Sequence, residues 1–372
     1  MKKIVVEFIR GLSDGGAETL VKEYCSLIDK SQFEVIVVVL FSKKESANYK
    51  VLKQNGIKII ELYDDWGSVN RIKYKLLGNY YIPLQLRKII KQYNPVAIHI
   101  HMTVLRFVAK ISKHLKNINL FYTCHSTPER YLGKTQKKEY YAVKKLITGN
   151  NLVMIGLTNE MAKELNDMFN VNNSIVIRNG IDFDRFNLSD NKADICASLG
   201  IPEKSFVVGH VGRFHPIKNH VFLVSVFEQI QKIRPDAFLL MVGQGEEKDH
   251  IKAILHEKGL DGKYLILSNR SDVPRLLKAM DVFVFCSTVE GFGIAVIEAQ
   301  LAGVRCLVSD SVPKDTLVTD LAISLNLRDG AEKWAEIALQ KEFLGKGNGK
   351  LLDYNMRVEI KKLERLYEEG II

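Results

Sequence analysis

Short runs of Val, Ile, Leu and Phe alternate with longer stretches of helical period along almost the whole chain, and this alternation limits the fold more than any other feature. The runs are "KIVVEFI" (3–9), "FEVIVVVLF" (33–41), "IKIIEL" (57–62), "VAIHIH" (96–101), "LFYTCH" (120–125), "LVMIGLT" (152–158) and "SIVIRNG" (174–180). After residue 185 the series restarts with "SFVVGHVG" (205–212), "AFLLMVG" (237–243), "YLILS" (264–268), "VFVFCS" (282–287) and "RCLVSD" (305–310). A strand with one wet face alternates apolar and polar residues, whereas an unbroken apolar run is buried on both faces, as in a parallel sheet covered by helices on each side. Two successive series therefore predict an α/β chain of two doubly wound, Rossmann-like domains. A length of 372 residues, too great for one comfortable core, agrees.

The boundary falls near "IRNGIDFDRF" (177–186), where Asn179-Gly180 is a turn signal. The expected division is 1–178 for an N-terminal domain and 179–355 for a C-terminal one. The charged amphipathic helix pattern at 356–372 could pack back on the first domain. "DNKADICASLGIPEKS" (190–205) reads as a connecting helix closed by a glycine and a proline. No apolar run reaches the roughly 18 residues of a membrane span. The start, "MKKIVVEFIRGLSDGG", reads as a first strand and lacks the h-region of a signal peptide. Five scattered cysteines without a C-x-x-C pair point to a reducing, cytoplasmic setting, where the N-x-S triplets at Asn172 and Asn187 carry no meaning.

Charge is uneven. Residues 1–180 hold 28 Lys+Arg against 15 Asp+Glu, a balance of +13, and the remainder holds 25 against 28, a balance of −3. The first half thus suits an anionic partner, or reflects a lysine-rich proteome. "NRIKYKLLGNYYIPLQLRKIIKQY" (70–93) and "RYLGKTQKKEYYAVKKL" (130–146) mix Lys and Arg with Tyr and Leu. Such stretches can lie on an anionic membrane surface or form ordinary solvated helix faces. No RRM, KH or helix-turn-helix signature accompanies the charge, so nucleic acid is not the expected partner.

In doubly wound domains ligands bind beyond the carboxyl ends of the strands, so the loops after strands carry the functional argument. "RGLSDGGAETL" (10–20) places Gly15 and Gly16 just before a helix, a site for an anion or a plain tight turn; it is neither G-x-G-x-x-G nor a P-loop. "GHVGRFHPIKNH" (209–220) sets Arg213 and Lys218 five positions apart, which suits a diphosphate or two solvated cations. "VFVFCSTVEGFGIAVIEAQLAG" (282–303) runs strand, turn, helix, with Glu290 before Gly291, Phe292 and Gly293 and with Glu298 inside the helix that starts at Ile294. A helical wheel puts Glu298 at the edge of a stripe formed by Ile294, Ile297 and Leu301. A carboxylate there needs hydrogen-bond donors, such as the two hydroxyls of a ribose or a neighbouring cation. "DFD" (182–184) has a metal-binding spacing but falls in the linker, and "HIH" (99–101) reads as a structural pair in a buried strand.

Taken together, "GGAE", "IRNGID", "GRFHPIKN", "VGQGEEKDHIK", "SDVPRLLKAMDVFVFCSTVEGFGIAVIEAQLAG" and "VSDSVPKD" resemble the family 4 retaining glycosyltransferases of GT-B fold, in the style of the branch that builds bacterial capsular and exopolysaccharides. The matches run in order through the second half and more thinly through the first. The resemblance implies two domains facing each other across a cleft, with Arg213 and Lys218 on the donor diphosphate and Glu298 on the ribose. It sets Glu290, Gly291, Phe292, Gly293 and Ile294 along the transferred sugar and its phosphate, brings Gly15 and Gly16 to the donor from the other domain, and puts His125 near the sugar. It further implies a nucleotide-sugar donor, UDP-linked by the family's usual usage, a saccharide or lipid-linked acceptor, and no metal or other cofactor. Cys286 and Arg305 stand where many members have proline, positions that do no chemistry. An epimerase of the same fold and a non-catalytic sugar-nucleotide-binding protein are the competing readings.

Overall fold

The computed structural model describes residues 2–13, 15–340, 345 and 347–370. The chain divides into two compact units, Met1–Gly180 with Met356–Ile372, and Ile181–Asn355. The first unit carries a seven-stranded sheet: β1 (Lys3–Leu12), β2 (Phe33–Ser42), β3 (Lys58–Glu61), β4 (Ala97–His101), β5 (Asn119–Thr123), β6 (Val153–Gly156) and β7 (Ile175–Val176), in the order β3-β2-β1-β4-β5-β6-β7. The second carries β8 (Phe206–Val211), β9 (Ala237–Val242), β10 (Tyr264–Leu267), β11 (Val282–Phe285), β12 (Arg305–Ser309) and β13 (Ala322–Leu325), in the order β10-β9-β8-β11-β12-β13. Every pairing is parallel. These are two Rossmann-like sheets, and in each the strand order reverses once, between β1 and β4 and between β8 and β11. Such a reversal opens a crevice at the carboxyl ends of the strands.

The apolar runs do what their pattern requires. In the second sheet alternate residues feed opposite cores: Val208, Leu239, Met241, Val282, Val284 and Leu307 pack on one face. Val207, Leu240, Phe283, Phe285, Cys306 and Val308 pack on the other. Two strands depart from expectation. β7 is only two residues long, and β13 did not stand out as an apolar run. As an edge strand β13 keeps Ala322 buried and Ser324 exposed, so its pattern is mixed.

The helix Met356–Glu369 belongs to the first unit and buries Ile360, Leu363 and Tyr367 there. Each buried aliphatic contributes about 1.5–3 kcal/mol. Its buried acids are satisfied: Glu359 accepts from the Arg178 N–H at 2.8 Å and Glu364 from the Asp29 N–H at 2.7 Å. Where the outgoing and returning strands of chain touch, a Cβ on Gly180 would collide with the Met356 backbone, so only glycine fits. Among the described residues no helix is long and apolar enough to cross a membrane.

Several histidines are held neutral by the fold. Burial pushes His101 and His210 down to about 4 and His220 to about 2. An unfolded histidine takes up a proton below about 6.5, and these cannot in the native state until the pH is far lower. Protons therefore favour the unfolded chain, so stability is complete above about 6.5 and declines as pH falls towards 4. The melting temperature should drop steadily from pH 7 to pH 5 by circular dichroism. For His210 a fall from 6.5 to about 4 corresponds to about 3 kcal/mol, and a flat profile would contradict the assignment.

Candidate active site

The second unit gathers its polar groups at the crevice between β8 and β11. After β8, Phe214 is buried and pinned by backbone hydrogen bonds, its N–H donating to Gln244 at 3.0 Å and its carbonyl accepting from Glu247 at 3.1 Å. Its ring stacks on His220, 4.3 Å between centroids. This anchor leaves Arg213 beside it at the surface, with its side chain 66% exposed and bonded to Glu246 at 2.9 Å. His215 accepts from the Ile217 N–H, and the turn Pro216–Lys218 ends at Asn219, whose φ of 56° starts the helix His220–Ile233.

The loop after β11 is tied to this turn. The Thr288 N–H donates to the Ile217 carbonyl at 2.8 Å, and Cys286 donates to the Asn219 carbonyl at 3.3 Å. Burial pushes the Cys286 thiol up to about 12, which leaves it inert. The tie brings Lys218 onto Glu290. Their side chains, 17% and 11% exposed, form an ion pair, and Glu290 Oε1 also accepts from Ser287 Oγ at 3.0 Å. The ammonium lies 4.8 Å from the Phe285 ring centroid. Arg213 and Lys218 thus each have a carboxylate of their own, one pair at the surface and one half-buried.

Gly291 is half-buried, and the Phe292 ring is buried against Tyr354, 5.6 Å between centroids, so its ring is committed to packing. Gly293 has φ 83° and caps the helix Ile294–Leu301; a side chain there would be strained and would press on Val312. The helix corrects the wheel drawn from sequence. Its deeply buried side is formed by Val296, Ile297, Ala299 and Gln300, while Ile294, Leu301 and Glu298 are half-buried on the other side. The reason is Gln300. Its Nε2 donates to the carbonyls of Val296 and Thr316, and its Oε1 accepts from the N–H groups of Val318 and Thr319, both at 2.9 Å. A polar residue inside an apolar helix signalled this, although sequence gave it no role.

The first unit builds a second polar centre at the crevice between β1 and β4. Gly15, with φ −88° and ψ 166°, is ordinary extended backbone and precedes the helix Gly16–Leu27. A Cβ on Gly16 would meet nothing within 4 Å. A Cβ on Gly15 would instead come 2.5 Å from a Glu18 carboxylate oxygen, so the Glu18 side chain crowds Gly15 whereas nothing in the unit crowds Gly16. His125, half-buried, follows β5, and its Nε2 lies 2.9 Å from His101 Nδ1. His101 Nε2 is 2.6 Å from Glu7 Oε2, and Tyr367 donates to Glu7 Oε1 at 2.7 Å. His99 completes the cluster through Tyr367 and Thr123, each at 2.7 Å. Glu7 and Tyr367 went unnoticed in the sequence; a glutamate inside the run "KIVVEFI" was the available signal. Glu7, His99 and His101 bring metal-type donor atoms within 4.8 Å of one another. All four ring nitrogens of the two histidines already have hydrogen-bond partners, which accounts for the cluster without an ion.

Comparison with known proteins gives the chain its family. The family model described as glycosyltransferase family 4 matches residues 14–185, and that of the glycosyl transferases group 1 matches residues 191–323. The chain belongs to the family 4 glycosyltransferases. EpsF of Bacillus subtilis (strain 168) is 24% identical to this glycosyltransferase over 343 residues, 90% of this chain and 86% of that protein. The UDP-Gal:alpha-D-GlcNAc-diphosphoundecaprenol alpha-1,3-galactosyltransferase of Escherichia coli is 37% identical over 147 residues, 38% of each chain. Anabaena Alr3699/HepE, solved in complex with UDP and glucose, matches with a TM-score of 0.77 at 18% identity, covering 99% of this chain and 100% of that one. The likeness gives the glycosyltransferase its GT-B fold.

Gln300 in this glycosyltransferase supports the loop from Pro313 to Thr319 beneath the helix that carries Glu298. Gln300→Leu should leave the buried Val318 N–H and the half-buried Thr319 N–H without an acceptor, at a cost of up to about 1–3 kcal/mol for each. A urea midpoint unchanged from the native chain would show that the clamp contributes nothing.

Proposed function

We propose that the enzyme transfers a hexose from a UDP-sugar to a saccharide carried on a lipid, with retention of anomeric configuration and without a metal, in capsular or exopolysaccharide assembly at the cytoplasmic face of the cell membrane. The observation that carries this reading is the Lys218 ammonium, held half-buried at the crevice of the second sheet by Glu290. An ammonium has three donors, so one can stay on Glu290 while another meets a phosphate oxygen. Arg213 adds a guanidinium whose surface pair with Glu246 contributes only about 0–1 kcal/mol and is readily exchanged for a diphosphate. Both cations stabilise the charge that develops as the bond between the sugar's anomeric carbon and the diphosphate breaks. The acceptor oxygen attacks from the face the diphosphate leaves, and its proton passes to the departing phosphate oxygen. Glu290, with its charge matched by Lys218 and one oxygen also held by Ser287, acts by positioning and not as a nucleophile. Gly291, Phe292, Gly293 and Ile294 offer backbone to the sugar and its phosphate, Glu298 accepts from the ribose hydroxyls, Gly15 and Gly16 serve the donor, and His125 serves the sugar. The names of the Escherichia coli relative and of the UDP-bound Anabaena structure accord with a UDP donor and a lipid diphosphate acceptor.

The membrane part of the reading rests on the helix Ser68–Tyr93. Ile72, Leu76, Leu77, Tyr80 and Leu84 are all exposed, Leu76 to 72% and Tyr80 to 79%. At 100° per residue they fall within about 140° of arc, with Lys73 and Arg87 on the same side. An apolar stripe set among cations suits an anionic lipid surface.

Calorimetry with UDP, GDP and ADP tests the donor. One diphosphate should bind, and Glu298→Ala should weaken it about tenfold or more, since charged hydrogen bonds contribute roughly 1.5–3 kcal/mol each. Indifference of the variant would remove the ribose role. For the membrane, the native chain should float with anionic liposomes at low salt and lose them at high salt. Leu76→Glu combined with Tyr80→Glu should abolish flotation, and retention by that variant would place the contact elsewhere.

A further inference from the structure

The buried cluster of the first unit has a proton arrangement that can be counted. Glu7, His99, His101 and Thr123 lie on adjacent strands in register, Glu7 opposite His99 and His101 opposite Thr123. Successive side chains of a strand alternate in face, so these residues share one face of the sheet. Tyr24 and Tyr367 pack against His99 on that face. Glu7, His99, His101 and Thr123 are all buried. Tyr367 has a single hydroxyl proton and gives it to Glu7, so toward the same hydroxyl oxygen His99 Nδ1 must be the donor. His99 Nε2 lies 2.7 Å from the Thr123 hydroxyl. On the other carboxylate oxygen, Glu7 can only accept, so His101 carries its proton on Nε2. Its Nδ1 is left as an acceptor, and the partner there, His125 Nε2, has to be the donor.

We propose that Glu7 and His101 are positioning residues that lock His125 in the tautomer protonated on Nε2, so that its Nδ1 lone pair is presented to a hydroxyl of the bound saccharide. The saccharide part rests on the glycosyltransferase reading above; the lock does not. Electrostatics keeps the chain of donors in this state. Burial would raise the Glu7 carboxyl, but the two imidazoles outweigh it and hold it well below the usual carboxylate range. Burial and the neighbouring His99 push His101 down to about 4 against the pull of Glu7. Burial, with His101 and His99 beside it, pushes His125 well below its ordinary value. Near neutral pH Glu7 is therefore a carboxylate and the His101 and His125 rings are neutral. His125 Nδ1 has no hydrogen-bond partner among the described residues, which leaves it to accept from a substrate. The arrangement has the logic of a carboxylate that fixes a catalytic imidazole in one tautomer, with a second imidazole between them.

The test is long-range proton–nitrogen correlation spectroscopy on chain labelled with nitrogen-15 in its nine histidines, at pH 7 and without ligand. His101 and His125 should both appear as single tautomers protonated on Nε2, with His125→Ala used for assignment. His101→Phe should convert His125 to a mixture of tautomers, and His101→Asn, which keeps an oxygen near the place of Nδ1, should restore the single form. A native spectrum with the His125 proton on Nδ1 overturns the lock without recourse to any variant. So does a single Nε2 tautomer that survives in a folded His101→Phe chain. In turnover of a UDP-hexose, Glu7→Gln should lower kcat at least about tenfold with the Kd for UDP unchanged; an unaltered kcat overturns the link to substrate. Failure of UDP to bind the native chain would instead strike the donor reading and leave the tautomer result standing.

Discussion

A parallel sheet must be covered on both faces, because its strands are joined by crossovers that lay helices on each side. That requirement makes the core strands of this chain apolar over most of their length, and it gives both sheets a point where successive crossovers go to opposite sides. Side chains at the carboxyl ends beside that point escape the covering helices. Lys218 and Glu290 in one unit and His125 in the other are placed there by the same topology, although their neighbourhoods differ.

The two crevices handle charge in opposite ways. In the second unit opposite charges are kept half in water, where they hold position yet remain exchangeable with an anionic ligand. In the first unit a single carboxylate, Glu7, is buried at the sheet centre and compensated by donors from two other elements, His101 on β4 and Tyr367 on the C-terminal helix. Leaving such a charge without donors would be severely destabilising. The helix Met356–Glu369 is therefore more than a cover, since its Tyr367 supplies one of the hydrogen bonds on which the charge depends.

Much of the fold was legible because burial on both faces writes itself into composition: β9 and β11 are apolar without interruption, and β2 is so from Val35 to Phe41. β13 escaped notice because an edge strand is covered incompletely and so carries a mixed pattern. The helix after β11 shows the limit of a wheel. Ile294, Ile297 and Leu301 looked like the buried stripe, yet Gln300 lies deeper than Ile294 or Leu301 because five hydrogen bonds satisfy its amide. Hydropathy cannot register that, since it prices a polar group as though it were unpaired. The pairing of Lys218 with Glu290 was equally unreadable, as each residue taken alone is an ordinary loop charge.

The sequence by itself determined two series of doubly covered parallel strands, the loops that follow them, and the family to which those loops belong, because strand burial and loop chemistry are local properties of residues close in the chain. Only the tertiary structure decided which charges meet, which side of the Glu298 helix is buried, and that Glu7, His101, His125 and Tyr367 form one hydrogen-bonded chain. Glu7 and Tyr367 are 360 residues apart. The physical reason is that a hydrogen bond or an ion pair depends on distances of a few ångströms between groups whose separation along the chain carries no information about their separation in space.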